Sequence, residues 1–177
     1  MPSILILFAH AHPYESRVNR AMLDAVDGVE GIVTHDLYAT YPDFHIDVRR
    51  EQALCEAAGV IVMQHPVQWY GSPSLLKEWI DRVLEHGWAF GNTGTALAGK
   101  TLLSAVSAGG TEESYRRDGE HRNDLRDFLL PFAETARLCG MTYAEPIILY
   151  GANHANAGDL AAHAAAYRDH LIRLRDS

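Results

Sequence analysis

Two short segments bring together side chains whose types and spacing could do chemistry. The first, HAHPYESRVN at residues 10–19, sets a ring donor at His10, a hydroxyl at Ser16 and an amide at Asn19 just ahead of a helical pattern. The free N–H groups of a helix N-terminus favour an anion, so a phosphate could sit here. The same residues also read as an ordinary Ser16 N-cap with surface histidines beside it. The second, HPVQWYGSP at residues 65–73, places Gln68, Trp69 and Tyr70 between an apolar run and a proline-started helix. Loop aromatics in that position could wall a flat aromatic ligand, or Trp69 could simply pack over the rim of the domain.

Other patterns lead away from chemistry. GTALAGKT at residues 94–101 matches the phosphate-loop pattern letter for letter, but it runs into the apolar stretch TLLSAV. A working phosphate loop follows a strand and opens a helix, so nucleotide binding is not expected there. His10 and His12 have no third ligand at motif spacing, and no metal is expected. Cys55 and Cys139 lie in apolar helical patterns without CxxC spacing and read as reduced core residues.

These segments need a scaffold, and the hydrophobic pattern supplies one. Residues 3–9, 60–63, 101–106 and 142–149 are short apolar runs suited to strands buried on both faces, and 31–37 is a weaker fifth candidate. Between them fall helical patterns. One starts after Ser16 with Val18, Met22, Ala25 and Val26 inward. Another, at 47–58, is expected to expose Arg49, Arg50 and Glu51 and bury Ala53, Leu54 and Ala57. A third starts at Pro73 with a stripe of Leu75, Leu76, Trp79, Ile80, Val83 and Leu84. A fourth, at 124–139, carries a kink or restart at Pro131, and the last follows Leu160, Ala164, Tyr167, Leu171 and Leu174. Residues 109–123 read as a long polar loop.

Five strands alternating with helices predict an α/β fold with a parallel sheet, and among such folds the flavodoxin-like three-layer sandwich, a five-stranded sheet of order 2-1-3-4-5, is favoured, although alternation alone does not fix the order. Residues 1–177 form one domain on this reading. Ligands of such sheets bind beyond the carboxyl ends of the strands, which gathers the loops at 10–19, 66–72 and 107–121. The formal charge of -8 argues against a nucleic-acid partner. No signal sequence or membrane-length apolar run is apparent, so a cytoplasmic protein is expected.

FAH at 8–10, S-x-x-N at 16–19, HPVQWYGSPSLLKEWIDRV at 65–83, HGWAFG at 86–91 and AGG at 108–110 together resemble the NAD(P)H:quinone oxidoreductase family. Within it the likeness is greatest to the KefF-type ancillary proteins of glutathione-regulated potassium efflux. The resemblance spans about the first 150 residues, and the P-x-Q-W-Y-x-x-P block is its most specific part. It implies a flavin, with His10, Ser16, Val18 and Asn19 around the phosphate. Val67, Gln68, Trp69 and Tyr70 would meet the ring from one side, and Ser107, Ala108, Gly109 and Gly110 from another. Glycines there would let backbone N–H groups approach the ring and stabilise negative charge.

The resemblance also implies roles for Tyr115 and His121 in accommodating charge and protons as hydride arrives. A polar loop could equally contain both by chance. Two departures bear on the transfer. Ser107–Ala108–Gly109–Gly110 stands where Thr-Thr-Gly-Gly is common, and the C-terminal extension of the larger FAD enzymes has no counterpart, which favours FMN over FAD. The implied activity is a two-electron, ping-pong transfer from NAD(P)H through FMN to a quinone by a homodimer. The alternative is a regulatory subunit of a glutathione-gated potassium efflux transporter, which would bring it to the inner membrane.

Overall fold

The structure is a computed structural model and describes residues 3–177. Its centre is a parallel sheet of β1 (Ser3–Phe8), β2 (Ile32–Asp36), β3 (Ala58–Pro66), β4 (Thr101–Ser107), β5 (Thr142–Tyr143) and β6 (Ile147–Leu149). The strands lie in the order β2-β1-β3-β4-β5, with β6 also paired to β4. The flavodoxin-like order favoured for the sheet is therefore the one observed.

The alternation of side chains along β1 explains how the helices divide. Leu5 and Leu7 enter one core with residues of α3 (Val48–Ala57), α4 (Ser74–Val83) and α5 (Leu130–Leu138). Ile4 and Ile6 enter the other with α1 (Arg17–Val26) and α6 (Ala157–Asp176). A strand buried on both faces has no polar side, which is why residues 3–9 read as a continuous apolar run. A one-turn helix, α2 (Leu37–Thr40), follows β2 directly, capped by the Asp36 carboxylate accepting from the Ala39 amide at 3.0 Å.

Two expectations need correction. The strand expected at 142–149 is two short pieces, β5 and β6. Pro146 has no N–H to give a ladder, and Glu145 turns out to Arg126 at 2.6 Å, so pairing lapses between them.

The face of α3 is partly as expected, with Arg49 and Arg50 exposed and Leu54 half-buried against the core, but the rest of it is turned. Glu51, Gln52 and Cys55 are buried, whereas Ala53 and Ala57 are exposed. A charged residue is normally placed outward, but Glu51 accepts from His35 Nε2 at 2.8 Å, Tyr41 OH at 2.5 Å and Trp79 Nε1 at 2.7 Å. Three donors make the buried carboxylate tolerable. Burial alone would raise its pKa, but the bonds from His35, Tyr41 and Trp79 outweigh that and hold it below the usual carboxylate range. Burial and the neighbouring carboxylate push the Tyr41 hydroxyl well above its ordinary value.

The cap of α1, the break near Pro131 and the two cysteines are as expected. Ser16 caps α1 by accepting from the Asn19 amide at 3.2 Å. Residues Leu125–Leu129 form a 3-10 turn that passes into α5 near Pro131, as the proline implied. Both cysteines are buried and free. The phosphate-loop lookalike leads into β4, and its Lys100 ammonium donates to the Glu56 and Ala58 carbonyls at 2.9 and 2.6 Å, where α3 ends. Among the described residues no metal-binding group of His, Cys, Asp or Glu occurs, and no helix is long and apolar enough to cross a membrane.

Candidate functional site

The carboxyl ends of β1, β3 and β4 are held level by the register, with Phe8 opposite Gln64 and Pro66 opposite Ser107. Four loops leave this edge: the three expected and the one after β6. They enclose a cleft of about 490 Å³ lined by His10, Glu15, Ser16, Arg17, Val18, Pro66, Val67, Gln68, Ser107, Gly109, Ala152 and Asn153. That is the size range of small-molecule sites.

The floor of one end is the start of α1. Its first-turn amides have no intrahelical acceptors, and Val18 presents one of them while its side chain is buried. His10 accepts from the His12 amide through Nδ1 at 3.1 Å, which leaves the proton of the neutral ring on Nε2. Burial, then the nearby His12, lowers its pKa, so the ring is a neutral donor at physiological pH. Asn19 is buried and does not line the cleft. Its Nδ2 donates at 3.0 Å to both Ser16 Oγ and Ser107 Oγ, tying the two ends of the site together.

The wall after β3 is a two-residue turn. Gln68 and Gly71 exchange backbone hydrogen bonds of 2.9 Å in both directions, while Trp69 and Tyr70 have φ of 47° and 64°. This is a type I′ hairpin geometry, normally filled by Asn-Gly, and each L residue in it carries roughly 1–2 kcal/mol of steric cost. Trp69 is 96% exposed as a result, and Tyr70 about half exposed. The structure thus brings Val67 and Gln68 to the cleft but stands Trp69 and Tyr70 at its outer rim. Under the loop, His65 is fully buried. Its Nδ1 donates to the Pro66 carbonyl at 2.9 Å, and burial lowers its pKa to about 4.

The wall after β4 is zipped to the loop after β6. Ala108 donates to the Leu149 carbonyl at 2.8 Å and accepts from Ala152 at 2.9 Å, so both its backbone groups are engaged and its side chain is in the core. Gly109 and Gly110 remain as donors, with no acceptor for either amide among the described residues. Both positions are crowded. A Cβ at Gly109 would come within 2.7 Å of Asn153 Nδ2, and one at Gly110 within 2.6 Å of Ser114 Oγ.

Tyr115 and His121 do not line the cleft. They form an aromatic stack beside Tyr70, with ring centroids 4.2 Å apart for Tyr115–His121 and 5.7 Å for Tyr70–His121. Tyr115 is buried, and burial, then Tyr70, raises its pKa, so it is protonated at neutral pH. Arg17, Ala152 and Asn153 were missed by the sequence reading. For the last two the available signal was the polar, glycine-containing stretch 151–156 at a strand's carboxyl end.

A parallel sheet of this order, with a helix terminus and open backbone donors at its carboxyl edge, defines a flavodoxin-like domain. The chain belongs to the Flavodoxin_2 family, described as a flavodoxin-like fold, whose model matches residues 2–171. It is 46% identical over 168 residues to the glutathione-regulated potassium-efflux system ancillary protein KefG of Escherichia coli, covering 95% of this chain and 91% of that one. The structure of general stress protein 14 from Treponema denticola in complex with FMN is 37% identical, with a TM-score of 0.93, over 98% of this chain and 99% of that one. A chain from the structure of thermophilic tryptophan halogenase (Th-Hal) from Streptomycin violaceusniger is 45% identical, with a TM-score of 0.92, over 95% and 98%. Structures of quinone reductases at 22 to 24% identity share the fold.

Proposed function

We propose that the cleft binds FMN and that the protein is an NAD(P)H:quinone oxidoreductase. The observation that carries this reading is the pairing, in one cleft, of an anion-accepting helix start with the free backbone donor of Gly109, beside which the Gly110 amide is also free. The FMN complex of the Treponema denticola relative supports the identity of the ligand. His10, Ser16 and the Val18 amide would hold the phosphate. Val67 and Gln68 would flank the ring on one side, and the Gly109 and Gly110 amides would face its electron-accepting edge on the other.

Bound FMN would supply the two-electron carrier between a nicotinamide and a quinone. The chain's own residues exclude water and fix orientation. Trp69 and Tyr70 would overhang the open face as the surface on which donor and acceptor alternate, and Tyr115 with His121 would hold a proton beside it. Alternating use of one face predicts ping-pong kinetics with parallel double-reciprocal lines when NADH or NADPH and a quinone are varied. Intersecting lines, or no turnover with any quinone, would refute the reading. A homodimer is part of the proposal, supported by the exposed Trp69, Tyr70, Leu130 and Leu138, and sedimentation tests it.

A second reading is favoured by the 46% identity to KefG: the protein acts as a partner that activates a potassium efflux transporter at the membrane. The two roles are separable by a surface variant that keeps quinone turnover and loses stimulation of potassium efflux.

A further inference from the structure

Behind the cleft runs a buried chain of hydrogen bonds that reaches α6. Tyr167 OH lies 2.9 Å from Gln64 Oε1, Gln64 Nε2 lies 3.1 Å from the Asn19 carbonyl and 3.5 Å from Asn19 Oδ1, and Asn19 Nδ2 lies 3.0 Å from both serine oxygens. Tyr167, Gln64 and Asn19 are all within 1% of complete burial.

The direction of every hydrogen in this chain is fixed by one group. A backbone carbonyl can only accept, so Gln64 must turn Nε2 toward Asn19 and Oε1 toward Tyr167, whose hydroxyl then donates. Gln64 Nε2 also faces Asn19 Oδ1, which turns Asn19 Nδ2 the other way, toward the serines. With the Asn19 amide at 3.2 Å, Ser16 Oγ already accepts two hydrogen bonds, and Ser107 Oγ accepts one. The hydroxyl hydrogen of each serine is left for whatever occupies the cleft.

We propose that Gln64 and Tyr167 are positioning residues that hold the Ser16 and Ser107 hydroxyls as donors, so that the cleft selects a ligand presenting acceptors, an anionic oxygen above all. The ligand's identity as FMN rests on the function proposed above; the polarity of the chain does not. Without Tyr167 OH, Gln64 Oε1 is an unsatisfied buried acceptor and the Gln64 side chain is held only by the Asn19 carbonyl, which loosens its grip on Asn19 Oδ1 and lets the Asn19 amide turn its oxygen on the serines. The serines would then donate to Asn19 and no longer to the ligand.

The test compares FMN with riboflavin, which lacks the phosphate, by fluorescence titration of wild type, Tyr167→Phe and Gln64→Leu. The expected result is an FMN affinity about tenfold weaker in each variant, with riboflavin much less affected, so that the preference for the phosphorylated ligand narrows. Combining the two substitutions should cost less than the product of the single losses, because they act on one chain. An unchanged FMN-to-riboflavin ratio in both folded variants overturns the proposal. If wild type binds neither flavin, the functional reading fails on its own, and the chain is then read by NMR in the free protein. Slow exchange of the Asn19 side-chain amide protons that becomes fast in Tyr167→Phe supports the positioning role, and fast exchange in wild type overturns it.

Discussion

Gln68 and Gly71 face each other across a pair of 2.9 Å backbone hydrogen bonds, and the two residues they enclose are both in the left-handed region. A turn of this shape is ordinarily made by Asn-Gly, so Trp69 and Tyr70 are held there at a cost to stability. Strain of this kind at the rim of a cleft points to use of the side chains.

Replacing Trp69 with Asn and Tyr70 with Gly should therefore raise stability by about 1–2 kcal/mol, since each new residue suits the turn. Quinone turnover should fall at the same time. Chemical denaturation together with steady-state assays measures both, and a loss of stability would contradict the strain argument.

Trp69→Ala separates the two effects. The ring is 96% exposed, so the substitution should change stability by no more than about 0.5 kcal/mol. Acceptor turnover or flavin retention should still drop. Normal values for both would remove Trp69 from the site.

The stack of Tyr115 on His121 predicts that Tyr115→Phe slows flavin reduction in stopped-flow measurements by about a hundredfold, the lower end of general acid–base effects, with FMN affinity unchanged. An unchanged reduction rate would show that the stack only packs the loop.

Glu51 sets an acid limit on the fold. Its folded-state pKa lies below the ordinary value, so the ionised carboxylate contributes stability that is complete above the unfolded value, near 4.3, and is lost as pH falls through the folded one. Glu51→Gln should cost about 3–5 kcal/mol at pH 7, because its amide group would face Tyr41, His35 or Trp79 as a fourth donor. The variant's stability should also fall less steeply in acid than the wild type's. Urea titrations between pH 3 and 7 would show it, and parallel pH profiles would contradict it.

The sheet and its order were legible because strands buried on both faces and amphipathic helices leave patterns with different periods. The orientation of α3 was not, because Glu51 is buried by partners on β2, α4 and the loop after α2, which no local pattern joins to it. In the site, His10, Ser16 and Gln68 could be placed from the ends of strands alone. Asn153 could not, since its position depends on the pairing of the loops after β4 and β6. The left-handed turn at Trp69 and Tyr70 was hidden because bulky residues seldom signal it. What the local sequence also hides is Tyr167, which reaches the site only through Gln64, 103 residues away.

A flavin in the cleft between α1 and the Gly109–Gly110 turn would give the purified protein a visible absorption spectrum of its own. The purified protein should be yellow, with the visible absorption of a flavin, and should release FMN on denaturation. Colourless protein that also fails to take up added FMN would contradict it.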